Sequence, residues 1–182
     1  MALTPSKMIP LGLEFPNFTL KDTITLQNIS SKDIKGPILV MFLCCHCPYV
    51  KYVEHEVTNI TKDYAKDFTI IAISSNDAVN YPDDSPENLK KMAQTLGWEF
   101  PYLYDESQEV ARQFDAACTP DFFIYDQSRK LVYRGQLDDS RPSNGKPLNG
   151  KDLRDALEAV IKGEEVSLDQ KASIGCNIKW KT

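Results

Sequence analysis

The segment Cys44-Cys45-His46-Cys47-Pro48 holds three of the chain's five cysteines. Cys44 and Cys47 are three residues apart, a spacing that lets two sulfurs at a helix start approach within disulfide distance. A sulfur there faces the helix's unpaired N–H groups and the positive end of its dipole, which favour thiolate over thiol. The chemistry open to such a pair is thiol–disulfide exchange, in which one thiolate attacks a disulfide and the second cysteine resolves the mixed disulfide. Cys44, nearer the preceding strand, is expected to be the more exposed, attacking thiol, with Cys47 resolving. His46 either tunes the thiolate as an imidazolium or is a solvated loop residue. Cys45 reads as incidental. Metal binding by Cys44, Cys45, His46 and Cys47 is the weaker reading: consecutive residues cannot all converge on one ion, and no second Cys-x-x-Cys closes a tetrahedral site. No metal or other cofactor is expected.

The elements that must position these residues follow from apolar periodicity. Ile38–Leu43 is a continuous β-prone run, as in strands buried on both faces. After Pro48, Tyr49, Val50, Val53, Val57, Ile60 and Tyr64 recur at spacings of three and four, which predicts an amphipathic helix of about five turns. Phe68–Ile73 is a second apolar run, completing a parallel βαβ pattern. His55 falls on the polar side of the helix. Residues 74–86 read as an exposed loop; Ser85-Pro86-Glu87 then opens a helix ending near Gly97. A short helix is expected over 106–114, a hairpin from Phe122–Tyr125 and Leu131–Arg134, and a last helix over Lys151–Lys162, followed by Gly163. At the start, Phe15–Leu20 and Thr23–Gln27 read as a small β-hairpin around Lys21-Asp22. The sum is an α/β protein, a mixed central sheet flanked by helices with an N-terminal hairpin extension. The order β-α-β, helix, hairpin, helix is the connectivity of a thioredoxin-like fold.

Two further loci acquire meaning in that fold. In Ala117-Cys118-Thr119-Pro120-Asp121, a proline at a strand entrance suggests a cis peptide bond in a tight turn. Thr119 and Pro120 would lie against the cysteine pair, their backbone free to pair with an extended substrate strand, and Cys118 would be close by. The tail from Ser173 to Lys181 is apolar and contains Cys176 and Trp180, so it is expected to pack back on the domain. Cys176 is either a small buried hydrophobe or, like Cys118, an auxiliary or resolving thiol.

A length of 182 residues is near the prior for one domain, read as 1–182 with a core over 15–163 and a tail over 164–182. The net charge of −5 supplies no positive field for nucleic acid or anionic lipid. The longest apolar run, Ile38 to Cys45, falls far short of the ~20 residues that span a bilayer. The N-terminus has neither the charged nor the apolar region of an export signal, so a reducing, cytoplasmic location is expected, where clustered cysteines are redox-active or metal-binding rather than structural.

Phe42-Leu-Cys44-Cys-His-Cys47-Pro-Tyr-Val50, Phe100-Pro-Tyr-Leu-Tyr-Asp-Glu106, Cys118-Thr-Pro-Asp-Phe-Phe123, Tyr133-Arg-Gly-Gln-Leu-Asp-Asp139 and Ser173-Ile-Gly-Cys-Asn-Ile-Lys-Trp180 together resemble the thioredoxin-family, peroxiredoxin-like redoxins of the alkyl hydroperoxide reductase and thiol-specific antioxidant (AhpC/TSA) group. The resemblance implies a redox-active Cys44–Cys47 pair, Pro120 as a cis-proline, and as partners protein or small-molecule disulfides and an electron-donating thiol system. Similar sequences commonly carry Asn at the position of Cys45. Peroxiredoxins activate their cysteine within Pro-x-x-x-Thr-x-x-Cys; aligned on Cys47, this chain has Val40 and Cys44 at the first two positions. The expected activity is therefore thiol–disulfide oxidoreduction. A hydroperoxide-reducing thiol peroxidase is the first alternative and a metal-binding or redox-sensing module the second.

Overall fold

The computed structural model describes residues 3–182. Ten strands and four α-helices follow in chain order: β1 Leu3–Pro5, β2 Thr19–Asp22, β3 Asn28–Ser30, β4 Ile38–Phe42, α1 Pro48–Tyr64, β5 Thr69–Ser74, α2 Pro86–Leu96, β6 Tyr102–Tyr104, α3 Glu109–Gln113, β7 Cys118–Thr119, β8 Asp121–Tyr125, β9 Leu131–Gly135, α4 Lys151–Lys162 and β10 Ile174–Asn177. Seven strands form one mixed sheet in the order β3-β2-β6-β5-β4-β8-β9, and β1, β10 and β7 form a second, three-stranded sheet. β4 and β5 run parallel, while β8 lies antiparallel to β4 on its other side. This is the thioredoxin-like arrangement that the apolar runs predict.

β4 is buried at every residue because both faces of the sheet are covered. Leu39 and Met41 face a core with Val50, Val53, Val57 and Ile60 of α1, Leu89 of α2 and Leu153 and Leu157 of α4. Val40 and Phe42 face the opposite core, with Val110 and Ala111 of α3, Phe114 and Phe123. Phe114 packs edge-on against Phe15, Phe42, Phe123 and Tyr125, so one buried ring ties the N-terminal segment to the central strands. Each such side chain contributes about 1.5–3 kcal/mol on leaving water, which makes the end of β4 a rigid base for the loop that follows. Among the described residues, no helix is long and apolar enough to cross a membrane.

Three expectations are corrected. The N-terminal hairpin exists, but its strands are 19–22 and 28–30, and residues 23–27 form its turn. The buried Asp22 carboxylate accepts from the N–H groups of Ile24 and Thr25 and from the Thr25 hydroxyl, so the alternating Thr23–Gln27 segment is held as a turn. The short helix covers only Glu109–Gln113, since Gln108 adopts a left-handed backbone just before it. The loop after β5 is not exposed throughout: Ser74, Ser75, Asn76, Asp77 and Asp84 are buried.

Candidate active site

The strand β4 ends at Phe42, one residue short of Cys44, and Cys47 is the N-cap residue of α1, with Pro48 opening the helix. No acidic side chain occupies the first turn of α1, so none competes with a thiolate for its N–H groups. Thr119 and cis-Pro120 stand opposite. The Thr119 hydroxyl lies 3.1 Å from the Cys44 sulfur, and the Thr119 carbonyl oxygen lies 3.3 Å from the Cys47 sulfur. A single residue, 75 positions from Cys44 and 72 from Cys47, thus brackets the pair.

No disulfide joins any of the five cysteines. Cys44 is 1% exposed and Cys47 0%, so the expectation that Cys44 is the exposed thiol is corrected. It is Cys45, whose N–H donates to Asp84, that is half-exposed. The two sulfurs titrate as a unit. The hydrogen bond from Cys44 is the main reason that the Cys47 thiol is lowered to about 5; burial opposes this, and contacts with Cys176 and the Val50 N–H reinforce it. Cys44 is raised well above the usual thiol value by that same bond, by burial and by the Asp84 charge. The negative charge of the pair therefore rests on Cys47. Burial pushes Cys45 and Cys176 up to about 12 and raises Cys118 as well, so these three stay protonated at neutral pH.

This charge has a testable consequence for stability. A cysteine whose thiol is depressed from 9.0 to about 5 on folding stabilises the reduced protein fully above the unfolded value, and that contribution is lost as pH falls through the folded one. Urea midpoints of the reduced protein should rise with pH between about 5 and about 9, and the ultraviolet thiolate absorbance should disappear with a midpoint near 5. An absorbance midpoint at the ordinary thiol value would contradict a thiolate on Cys47.

The loop between the cysteines is organised by Asp84, which sequence reading places on an exposed loop and which is fully buried. Its Oδ1 accepts from the N–H groups of Cys45 and His46, at 2.7 and 3.2 Å. Its Oδ2 lies 2.5 Å from His46 Nδ1 and accepts from Asn76 Nδ2 at 2.7 Å. The His46 ring stacks on Tyr81, so His46 is a fixed member of the turn and not a solvated loop residue. The local sequence gives no sign that Asp84 and not Asp83 is the buried one. The available signal is topological: Asn76 and Asp84 follow the carboxyl end of a parallel strand, where sites in α/β sheets form. Cys44, His46 and Asp84 also bring potential metal-ligand atoms within 4.8 Å of one another. Both Asp84 oxygens are already engaged as hydrogen-bond acceptors, which suits the carboxylate to holding the turn.

The auxiliary thiols separate. The Cys118 sulfur lies against the carbonyls of Pro120 and Ser173. Cys176 lies 2.7 Å from the Cys47 sulfur. The tail does return: β10 pairs with β1 on one side and β7 on the other, and Arg112 covers the Trp180 ring. The exposed sides of Cys45 and His46 open onto a cleft of about 550 Å³ that Lys51, Glu54, Asp83 and Lys91 also line. The larger cavity of about 930 Å³, lined by Leu11, Val132, Val160 and Val166, contains no cysteine.

Comparison with solved structures gives an uncharacterised conserved protein from Geobacillus kaustophilus, 53% identical, with a TM-score of 0.97 over 100% of this chain and 97% of that one. A hypothetical protein from Sinorhizobium meliloti is 42% identical, with a TM-score of 0.95 over 98% of this chain and 99% of that one. At 18% identity the peroxidoxin BcpB of Mycobacterium tuberculosis shares the fold, with a TM-score of 0.62 over 84% of this chain and 96% of that one. No curated protein matches the chain significantly. The model of the AhpC/TSA family matches residues 11–134, a span that includes both the Cys44–Cys47 turn and the cis-proline facing it, and the chain belongs to that family.

Proposed function

We propose that the protein is a thiol–disulfide oxidoreductase whose redox pair is Cys44 and Cys47. The observation that carries this reading is the placing of two buried sulfurs against Thr119, with Cys47 as the N-cap of α1, where its thiol is lowered and that of Cys44 raised. Membership of a family of redox proteins agrees with it. The Cys47 thiolate attacks one sulfur of a substrate disulfide, and the other sulfur leaves as a thiolate that takes a proton. Cys44, losing its proton, then attacks the Cys47 sulfur, which releases the second substrate thiolate and closes the Cys44–Cys47 disulfide. An external dithiol returns the pair to the reduced state, and the direction of net flow follows the potentials of the partners. The charge on Cys47 makes it the attacking sulfur here, in place of Cys44.

Protein or small-molecule disulfides, not hydroperoxides, are the substrates on this reading. Among the described residues no arginine is hydrogen-bonded to Cys44 or Cys47, and the residue aligned with the peroxidatic threonine is itself Cys44. The test compares two reactions of the reduced wild-type protein: reduction of insulin disulfides, and stopped-flow consumption of hydrogen peroxide. Robust insulin reduction with slow peroxide consumption is expected. Rapid peroxide consumption without disulfide reduction would replace this reading with a thiol peroxidase.

A further inference from the structure

We infer that Cys176 is a third redox-active thiol, carried by a strand of the chain itself that fills the substrate position beside the cis-proline, and that it exchanges with Cys44 for a disulfide to Cys47. The inference rests on the Cys44–Cys47 pair proposed above. β10 lies antiparallel to β7 with Cys176 opposite Thr119 and Asn177 opposite Cys118, so the backbone edge leading into Pro120 is already paired. The approach is close because residue 175 is glycine: a Cβ there would stand 1.9 Å from the Thr119 carbonyl oxygen. Ser173 Oγ donates to the Pro120 carbonyl at 2.5 Å, and the N–H groups of Ile178 and Lys179 donate to Ala117 O and Asn76 Oδ1. This register brings the Cys176 sulfur, 3% exposed, to 2.7 Å from that of Cys47, across 129 residues of sequence. β10 also lies outside the region that the family model matches.

An extended strand beside the cis-proline that delivers a sulfur to the nucleophile is the geometry a substrate disulfide needs, and here the chain supplies it in cis. The exchange balances without an added oxidant. In the oxidised protein, Cys176 gives up its proton and attacks the Cys47 sulfur; the Cys44–Cys47 bond breaks, the Cys47–Cys176 bond forms, and Cys44 leaves as a thiolate that takes the proton. One isomer ties β10 down over Cys47. The other leaves β10 held by non-covalent contacts alone, so it can lift to admit the external dithiol that reduces the Cys44–Cys47 disulfide.

The experiment oxidises the reduced full-length protein with glutathione disulfide, blocks remaining thiols with N-ethylmaleimide, and maps disulfides by non-reducing tryptic mass spectrometry. Cys44, Cys45 and Cys47 fall in the peptide 36–51 and Cys176 in 172–179, so the cross-link joins two peptides and fragmentation locates its sulfur. Wild type should give both the disulfide internal to 36–51 and the link between Cys47 and Cys176. In Cys44→Ser that link should exceed glutathionylated Cys47 by about 10-fold or more, because the tethered thiol outcompetes a dilute external one. Glutathionylated Cys47 beside alkylated Cys176 in Cys44→Ser, or a link to Cys45, would overturn the inference. The two readings can fail separately. If Cys176→Ser still forms the Cys44–Cys47 disulfide while wild type and Cys44→Ser show no link to Cys176, only the inference falls. If the link to Cys176 forms but no Cys44–Cys47 disulfide does, the proposed pair falls and the exchange with it, leaving Cys47 and Cys176 as the redox-active thiols. Circular dichroism checks both folds; should Cys176→Ser misfold, Cys44→Ser, with its native tail, decides.

Discussion

Replacing Cys47 with serine is expected to lower insulin-disulfide reduction by about 1,000-fold or more, since the covalent intermediate can no longer form. The geometry makes the effect specific to this sulfur. Cys47 holds the charge of the pair, with Cys44 and Cys176 both hydrogen-bonded to it. Cys44→Ser should also stop turnover by the proposed route but leave the first step intact, so a disulfide on Cys47 accumulates and can be isolated. Cys45→Ser should leave turnover within about a factor of two, since the half-exposed Cys45 sulfur takes no part in the exchange. Steady-state assays and intact-mass measurement of the trapped species separate the three variants. Full activity in Cys47→Ser would remove it from the mechanism.

Replacing Asp84 with alanine is expected to cost about 3–5 kcal/mol, because it removes a buried carboxylate and leaves buried and half-buried donors without their acceptor. Those donors are the N–H groups of Cys45 and His46 and the amide of Asn76; the His46 ring loses its partner as well. For a chain of this length the loss should lower the melting temperature by roughly 6–20 °C. The effect reaches the tail: Asn76, which donates to Asp84, also accepts from the Lys179 N–H, so the cysteine turn and the C-terminal segment share one hydrogen-bonded chain. Removing the carboxylate also takes away one of the influences that raise Cys44, so the Cys44 thiol should become more acidic. Thermal unfolding of the reduced protein and rates of iodoacetamide alkylation measure the two effects. A destabilisation below about 1 kcal/mol would show that Asp84 does not hold the turn.

Local pattern by itself determined the βαβ unit, the β8–β9 hairpin, α4 with its terminal glycine, and the placing of Cys44 and Cys47 between β4 and α1. Each depends on residues within a few turns or one strand of each other, where periodicity and caps act directly. The hairpin boundaries slipped because an alternating segment reads as a strand unless one knows that a buried carboxylate, Asp22, gathers its N–H groups. Only the tertiary structure decided which polar residues lie inside. Asp83 and Asp84 are neighbours of one type in one loop, and their difference appears only once the cysteine turn folds over that loop. It likewise gave Cys118 and Cys176 different surroundings. Strand pairing across 129 residues, with a glycine that permits contact with Thr119, turned Cys176 toward Cys47, while Cys118 faces the carbonyls of Pro120 and Ser173. Such pairing is set by the register between distant strand edges, and no local spacing in the chain encodes it.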